Sequence, residues 1–209
     1  MIVLILNRIK EWYDKQLLDQ QKGFRSGRGT TDGIFITKRI QQIADKMKKP
    51  VYLLFIDLTA AFDHINRKWL FKSIKVGFAR DTKLIGILDM LYNYTTTSLT
   101  ENPDDDFAIT LGVRQGGPES PMLFNLYMDF VLRIFIESCK QRNINFLELR
   151  YCIPPYASKR ERTHVGFHQL DWIGYADDLV LALDNKQSLQ NAINLLDKTF
   201  RRFSLAINV

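Results

Sequence analysis

A chain of 209 residues is long enough for one domain, or one domain with a subdomain, and can bury a real core. An apolar content of 46% with 12% aromatics excludes a disordered chain, and a formal charge of +6 leans towards an anionic partner such as nucleic acid without proving one. The two cysteines, Cys139 and Cys152, form no CxxC pair and the three histidines no zinc pattern, so neither a disulfide framework nor a zinc site is expected.

The opening MIVLIL is too short to span a bilayer and meets Asn7 and Arg8 at once, so no signal peptide or membrane segment is expected. Leu4, Ile5, Ile9, Trp12 and Tyr13 recur at helical spacing and predict an amphipathic helix over residues 3–18. KGFRSGRGTTDG, residues 22–33, reads as a glycine-rich basic loop. Thr30, Thr31 or Asp32 would then cap a helix running through Ile34, Ile40 and Met47 to the basic end KMKKP. The apolar run VYLLFIDL, residues 51–58, is bounded by Pro50 and predicts a buried strand. Helices over residues 67–75 and 82–94 follow, then a threonine-rich strand at 95–100 and the acidic turn NPDDD.

Ser120 as N-cap and Pro121 at the first helical position open a helix with the apolar face Leu123, Leu126, Tyr127, Phe130, Val131 and Ile134. ASKRERTHVG predicts no element. Residues 167–173 and 179–184 predict the two strands of a hairpin around Ala176, Asp177 and Asp178, and a helix over 187–203 leads into SLAINV. This order predicts an α+β domain with a mostly antiparallel sheet backed by helices. Because the chain opens on an apolar helix and stops in a strand-like pattern, it is expected to be a piece of a longer polypeptide.

The adjacent acids in WIGYADDLVLAL, residues 172–183, repel each other and are costly to bury unpaired. A hairpin turn explains them, because Asp suits turn geometry; so does a divalent cation, which turns repulsion into binding. Asp57 ends the run LLFID. If the two strands are neighbours, Asp57, Asp177 and Asp178 meet at one sheet edge, as a two-metal phosphoryl transfer requires. Taken alone, Asp57 could equally be a strand-terminating acid.

FIDLTAAFD (residues 55–63), GVRQGGPESP (112–121) and YADD (175–178), preceded by GFRSGRGTTD (23–32), stand in an order and spacing that resembles the reverse transcriptase domain of non-LTR (LINE-type) retrotransposons. The resemblance runs through nearly the whole chain. It implies a polymerase palm at residues 51–209 with partial fingers at 1–50, and no thumb, primer grip or endonuclease domain. It also implies an RNA-directed DNA polymerase that uses two Mg2+ ions, an RNA template, a DNA primer and deoxynucleoside triphosphates. No membrane partner is implied, and the rest of a retroelement polyprotein is.

By position, the resemblance makes Asp57, Asp177 and Asp178 the magnesium ligands, with the Leu58 carbonyl beside the nucleotide-bound metal. Phe62 matches a steric gate under the deoxyribose, although an ordinary core phenylalanine would read the same. Gln115 and Gly116 match the segment that contacts nucleotide and template. Arg25 and Arg28 match a finger loop that reaches the triphosphate; a solvated basic loop is the plainer alternative. Glu119 departs from the pattern, where an apolar residue is more usual, but an acid in a first helical turn suits the dipole.

The absent parts leave room for a second reading, a catalytically incompetent remnant that at most binds nucleic acid. A palm-type RNA polymerase is opposed by Phe62, and a purely binding module would rely on SKRER. The family acts on chromosomal DNA, which implies the nucleus, though no targeting signal is evident in the chain.

Overall fold

The computed structural model describes residues 2–77, 82–97, 107–152 and 165–208. In chain order the elements are α1 (Ile2–Gln16), α2 (Thr30–Met47), β1 (Tyr52–Ile56), α3 (Arg67–Gly77) and α4 (Thr82–Asn93). They continue with β2 (Thr96–Thr97), β3 (Phe107–Ala108), α5 (Ser120–Gln141), β4 (Leu147–Cys152), β5 (Val165–Leu170), β6 (Trp172–Tyr175), β7 (Asp178–Leu183) and α6 (Lys186–Arg202). Among the described residues no helix is long and apolar enough to cross a membrane. The acidic turn at 102–106 and residues 157–164 of the basic stretch lie outside the described residues.

The sheet that carries the site has the order β1-β7-β6, antiparallel throughout. Tyr52 faces Leu183 at one end of the β1–β7 ladder and Ile56 faces Leu179 at the other. Side chains alternate across a strand, so Ile56, Leu179, Leu181 and Leu183 enter the main core, while Leu53 and Ala182 join a second cluster around Ile40 of α2. That alternation corrects the expected buried strand at 51–58. The run is five residues long and lies at a sheet edge, and Phe55 is 67% exposed.

Helix α5 runs through the main core, with α3 and α6 packed against it. Its expected single apolar face is too narrow a description, because Asn125 and Asp129 are buried as well. Both are satisfied. Asn125 donates to the Tyr13 hydroxyl at 2.9 Å, and Asp129 accepts the Leu18 N–H at 2.9 Å and Arg133 at 2.6 Å. These bonds fasten α1 and the segment after it across α5, and burial raises the Tyr13 hydroxyl above its ordinary value, against the smaller opposing effect of the Asn125 hydrogen bond.

Three local expectations change. The α2 N-cap is Gly29, whose N–H is accepted by the Asp32 carboxylate at 2.8 Å. The α5 N-cap is Glu119, so Ser120 is already helical and Pro121 second in the helix. The expected single strand at 167–173 is divided at Asp171: residues up to Leu170 pair with β4, and residues from Trp172 pair with β7.

Candidate active site

Beyond β1, residues 57–59 pair with the segment 206–208. The Thr59 N–H donates to the Ala206 carbonyl at 3.0 Å, and the Asn208 N–H donates to the Asp57 carbonyl at 2.9 Å, with Leu58 opposite Ile207. In antiparallel pairing the residue between two such bonds turns its own N–H and C=O the other way. The Leu58 carbonyl therefore faces the β7 side of β1. The Asp57 carboxylate is exposed, and one of its oxygens accepts from the Asn208 side chain at 2.9 Å.

The β6–β7 hairpin turns on Ala176 and Asp177, with Tyr175 opposite Asp178. Ala176 has φ 55°, the left-handed conformation that a tight two-residue hairpin turn needs and that glycine usually supplies. Carrying the β1–β7 register one step past Ile56↔Leu179 sets Asp57 opposite Asp178. The acids feel one another. The Asp178 carboxyl is raised above the ordinary carboxylate range, chiefly by partial burial and further by the charges of Asp177 and Asp57.

Among the described residues no basic side chain forms an ion pair with Asp57, Asp177 or Asp178. Nor, among those residues, are three carboxylate, imidazole or thiol groups drawn into a ready-made metal cage. An open set of hard oxygen donors with uncompensated negative charge fits Mg2+, which is held by one or two carboxylates and keeps water or substrate phosphates as its other ligands.

Phe62 is half-buried. Its ring stacks on Phe124 of α5, with centroids 4.2 Å apart and planes within 5°, and meets Phe24 edge-on at 6.2 Å. Phe24 also lies 6.5 Å from the Tyr175 ring, so an aromatic row links α5, the segment after β1, the glycine-rich loop and the hairpin. Gln115 is exposed and donates to Asp63 at 2.8 Å, which ties its loop to the segment after Asp57. Next to it Gly116 adopts φ 77° with open space where a side chain would stand.

Backbone bonds from Gly112 to Ile65 (2.8 Å) and from Val113 to Phe62 (2.9 Å) hold the same two segments together. Glu119, expected as an acid in a first helical turn, is the N-cap, is fully buried and accepts the Tyr92 hydroxyl at 3.2 Å. Burial, with the nearby Glu119 charge as a smaller cause, raises the Tyr92 hydroxyl above its ordinary value.

Arg25 turns inward, where the sequence suggested a reach towards phosphate. Its guanidinium meets the Asp14 carboxylate at 3.2 Å and the carbonyls of Leu18 (2.8 Å), Gln21 (3.2 Å) and Asp14 (2.7 Å), bracing the loop against the end of α1. Arg28 stays nearer the surface, bonded to Asp19 at 2.7 Å, and with Lys22 and Ser26 it lines a cavity of about 520 Å³. Burial, and next the charge of Arg28, lowers the Lys22 amine below its ordinary value. Sequence reasoning missed Gln21, Phe24, Arg67 and Asn208. No role for any of them follows from the local sequence, because their partners lie far away in the chain.

The whole chain, residues 1–209, matches the reverse transcriptase (RNA-dependent DNA polymerase) family. It is 26% identical over 188 residues to the retrovirus-related Pol polyprotein of the type-2 retrotransposable element R2DM of Drosophila melanogaster, covering 89% of this chain and 15% of that protein. The Pol polyprotein of the type-1 retrotransposable element R2 of Nasonia vitripennis is 25% identical over 197 residues, covering 93% of this chain and 17% of that protein. The chain thus spans about a sixth of the length of these relatives.

Its fold is similar to part of telomerase from Candida tropicalis, solved with a fragment of telomeric RNA, at TM-score 0.67 and 13% identity over 100% of this chain and 32% of that one. Telomerase from Candida albicans, also solved with a telomeric RNA fragment, superposes at TM-score 0.63 with 10% identity, covering 98% of this chain and 32% of the other.

Proposed function

Because the chain belongs to the reverse transcriptase (RNA-dependent DNA polymerase) family, we propose that it is the catalytic core of an RNA-directed DNA polymerase from a LINE-type retroelement. Residues 51–209 are the palm and residues 1–50 part of the fingers. The observation that carries the reading is the register that sets Asp57 opposite Asp178 at the hairpin tip, with the charges of both neighbours felt at Asp178.

Members of the family use divalent metals. Here Asp57, Asp177 and the Leu58 carbonyl would hold two Mg2+ ions, with Asp178 beside them. When bound, such ions favour a deprotonated primer 3′-hydroxyl and stabilise charge on the transferring α-phosphate and the departing pyrophosphate. The chain's own residues position the reactants. Phe62, held flat against Phe124, would be a rigid wall for the sugar that clashes with a 2′-hydroxyl. Gln115 and Gly116 offer an exposed amide and an open backbone to the nucleotide and template. Arg28 presents the positive charge nearest solvent in the loop, whereas Arg25 supports that loop from beneath. The partners are an RNA template, a DNA primer, deoxynucleoside triphosphates and the remainder of a retroelement polyprotein.

Primer extension on an RNA template with Mg2+, comparing this chain with Asp177→Asn, tests the reading. Extension lost in the variant, with an unchanged circular dichroism spectrum, is expected. Equal extension by both chains, or a variant that unfolds, would remove Asp177 from the chemistry. Extension by neither would favour an incompetent fragment.

A further inference from the structure

The acids of the hairpin tip are held from outside the hairpin. Gln21 is 1% exposed, and its side-chain amide grips Ala176 by both backbone groups. Its oxygen accepts the Ala176 N–H at 3.0 Å, and its nitrogen donates to the Ala176 carbonyl at 3.1 Å. The same oxygen accepts the Gly23 N–H at 3.0 Å, which fixes the amide's orientation. On either side the Lys22 N–H donates to the Gly174 carbonyl at 2.8 Å and the Gly174 N–H donates to the Gln20 carbonyl at 3.0 Å, so residues 20–22 run beside β6 as a short parallel strand. The fit is close. A Cβ at Gly23 would stand 2.4 Å from the Ala176 nitrogen.

Ala176 is the residue that this grip most needs to hold. It is not glycine, yet its φ of 55° is one that a side chain disfavours. Two bonds from a buried amide hold it there, and the next residue along is Asp177. A relaxed Ala176 would rotate the Ala176–Asp177 peptide and re-aim the carboxylate.

We propose that Gln21 is a positioning residue that locks the Ala176–Asp177 turn and so aims the tip carboxylates at their metal. This rests on the reading of Asp177 as a metal ligand, and it extends the site to a part of the chain that touches no reacting atom.

Two measurements on the full chain test it. Gln21→Met keeps the side-chain volume but makes neither bond; Gln21→Glu keeps the acceptor and loses the donor. Amide hydrogen exchange at Ala176 should be about tenfold faster in Gln21→Met, the change expected for losing a hydrogen bond of ordinary net strength, while exchange in α5 is unchanged. Mn2+ affinity, followed by electron paramagnetic resonance of the free ion, should weaken about tenfold in Gln21→Met, and Gln21→Glu should recover part of the protection at Ala176.

Unchanged exchange at Ala176 would overturn the lock. A loosened turn with parental Mn2+ affinity would overturn its role in aiming the acids. Asp177→Asn separates the two readings: if it binds Mn2+ as the parent does, the ligand assignment fails while the exchange result at Ala176 still reports on Gln21.

Discussion

Replacing Arg67 with leucine should cost the domain roughly 3 kcal/mol, although Arg67 touches no proposed substrate. Arg67 is buried at the start of α3, where its Nε donates to the Gly112 carbonyl at 2.8 Å and its Nη1 to the Tyr92 carbonyl at 2.8 Å and to the Ile109 carbonyl. Its guanidinium also lies 5.0 Å from the centre of the Tyr92 ring. Leucine would leave the Gly112 and Tyr92 carbonyls buried without these donors, at about 1–3 kcal/mol each. The lost cation–π contact adds about 0.5–2 kcal/mol. Against this, leucine recovers the cost of burying a guanidinium, the same burial that lowers the Arg67 pKa, so the net falls near the lower end of the sum.

Urea unfolding followed by far-UV circular dichroism measures it. With a slope of about 2–3 kcal/mol per M for a domain of this size, the midpoint should drop by about 1–1.5 M. Arg67→Lys, a point charge that cannot fork to three carbonyls, should fall between the two. A midpoint within about 0.3 M of the parent would refute the claim that this guanidinium fastens the loop of Gln115 to the helices beneath it.

Phe62→Ala should raise ribonucleotide use relative to deoxynucleotide by about 10–200-fold in kcat/KM, the range that pocket sterics command, and an unchanged ratio would remove the gate. The same change should lower stability through the lost stack on Phe124, by about 0.5–1.5 kcal/mol beyond the buried area. Asp178→Asn probes the raised carboxyl. The folded chain holds this proton more tightly than the unfolded chain, so the group favours folding below the unfolded pKa, and that contribution is lost as pH rises through the raised value. In EDTA the variant should therefore melt higher than the parent at pH 7, with the gap closing as pH falls towards about 3.9; a variant that melts lower at pH 7 would contradict the mutual repulsion.

The elements that define the palm were visible in local patterns. VYLLFID announces β1, YADD the hairpin tip, and the spacing of Leu123, Leu126 and Tyr127 the central helix. What escaped was fixed by distant partners. Residues 167–173 carry no local mark of a break, because the division at Asp171 arises from β4 claiming one half and β7 the other. Asn125 and Asp129 look like the solvent face of α5 until Tyr13, Leu18 and Arg133 are placed against them. Arg25 and Arg28 are indistinguishable as letters in a basic loop, yet Asp14 and three carbonyls draw one inward. For the site, the three acids were identifiable by type and order, whereas Gln21 is a polar residue in a polar segment whose partner is 155 positions away.

That separation has a bearing on how the domain comes into being. The bond between Asn208 and Asp57 spans 151 positions, and β1 cannot pair until β7 exists. At ribosomal rates of about 5–20 residues per second, β1 therefore waits on the order of ten seconds with an unpaired edge. Helices α3, α4 and α5 can dock on one another in the meantime, since their contacts are comparatively local. The corner that holds Asp57, Asp177 and Asp178 is the last thing to close. A nascent chain has a helical body well before it has a site, and its open β1 edge is the surface on which a second copy would wrongly add.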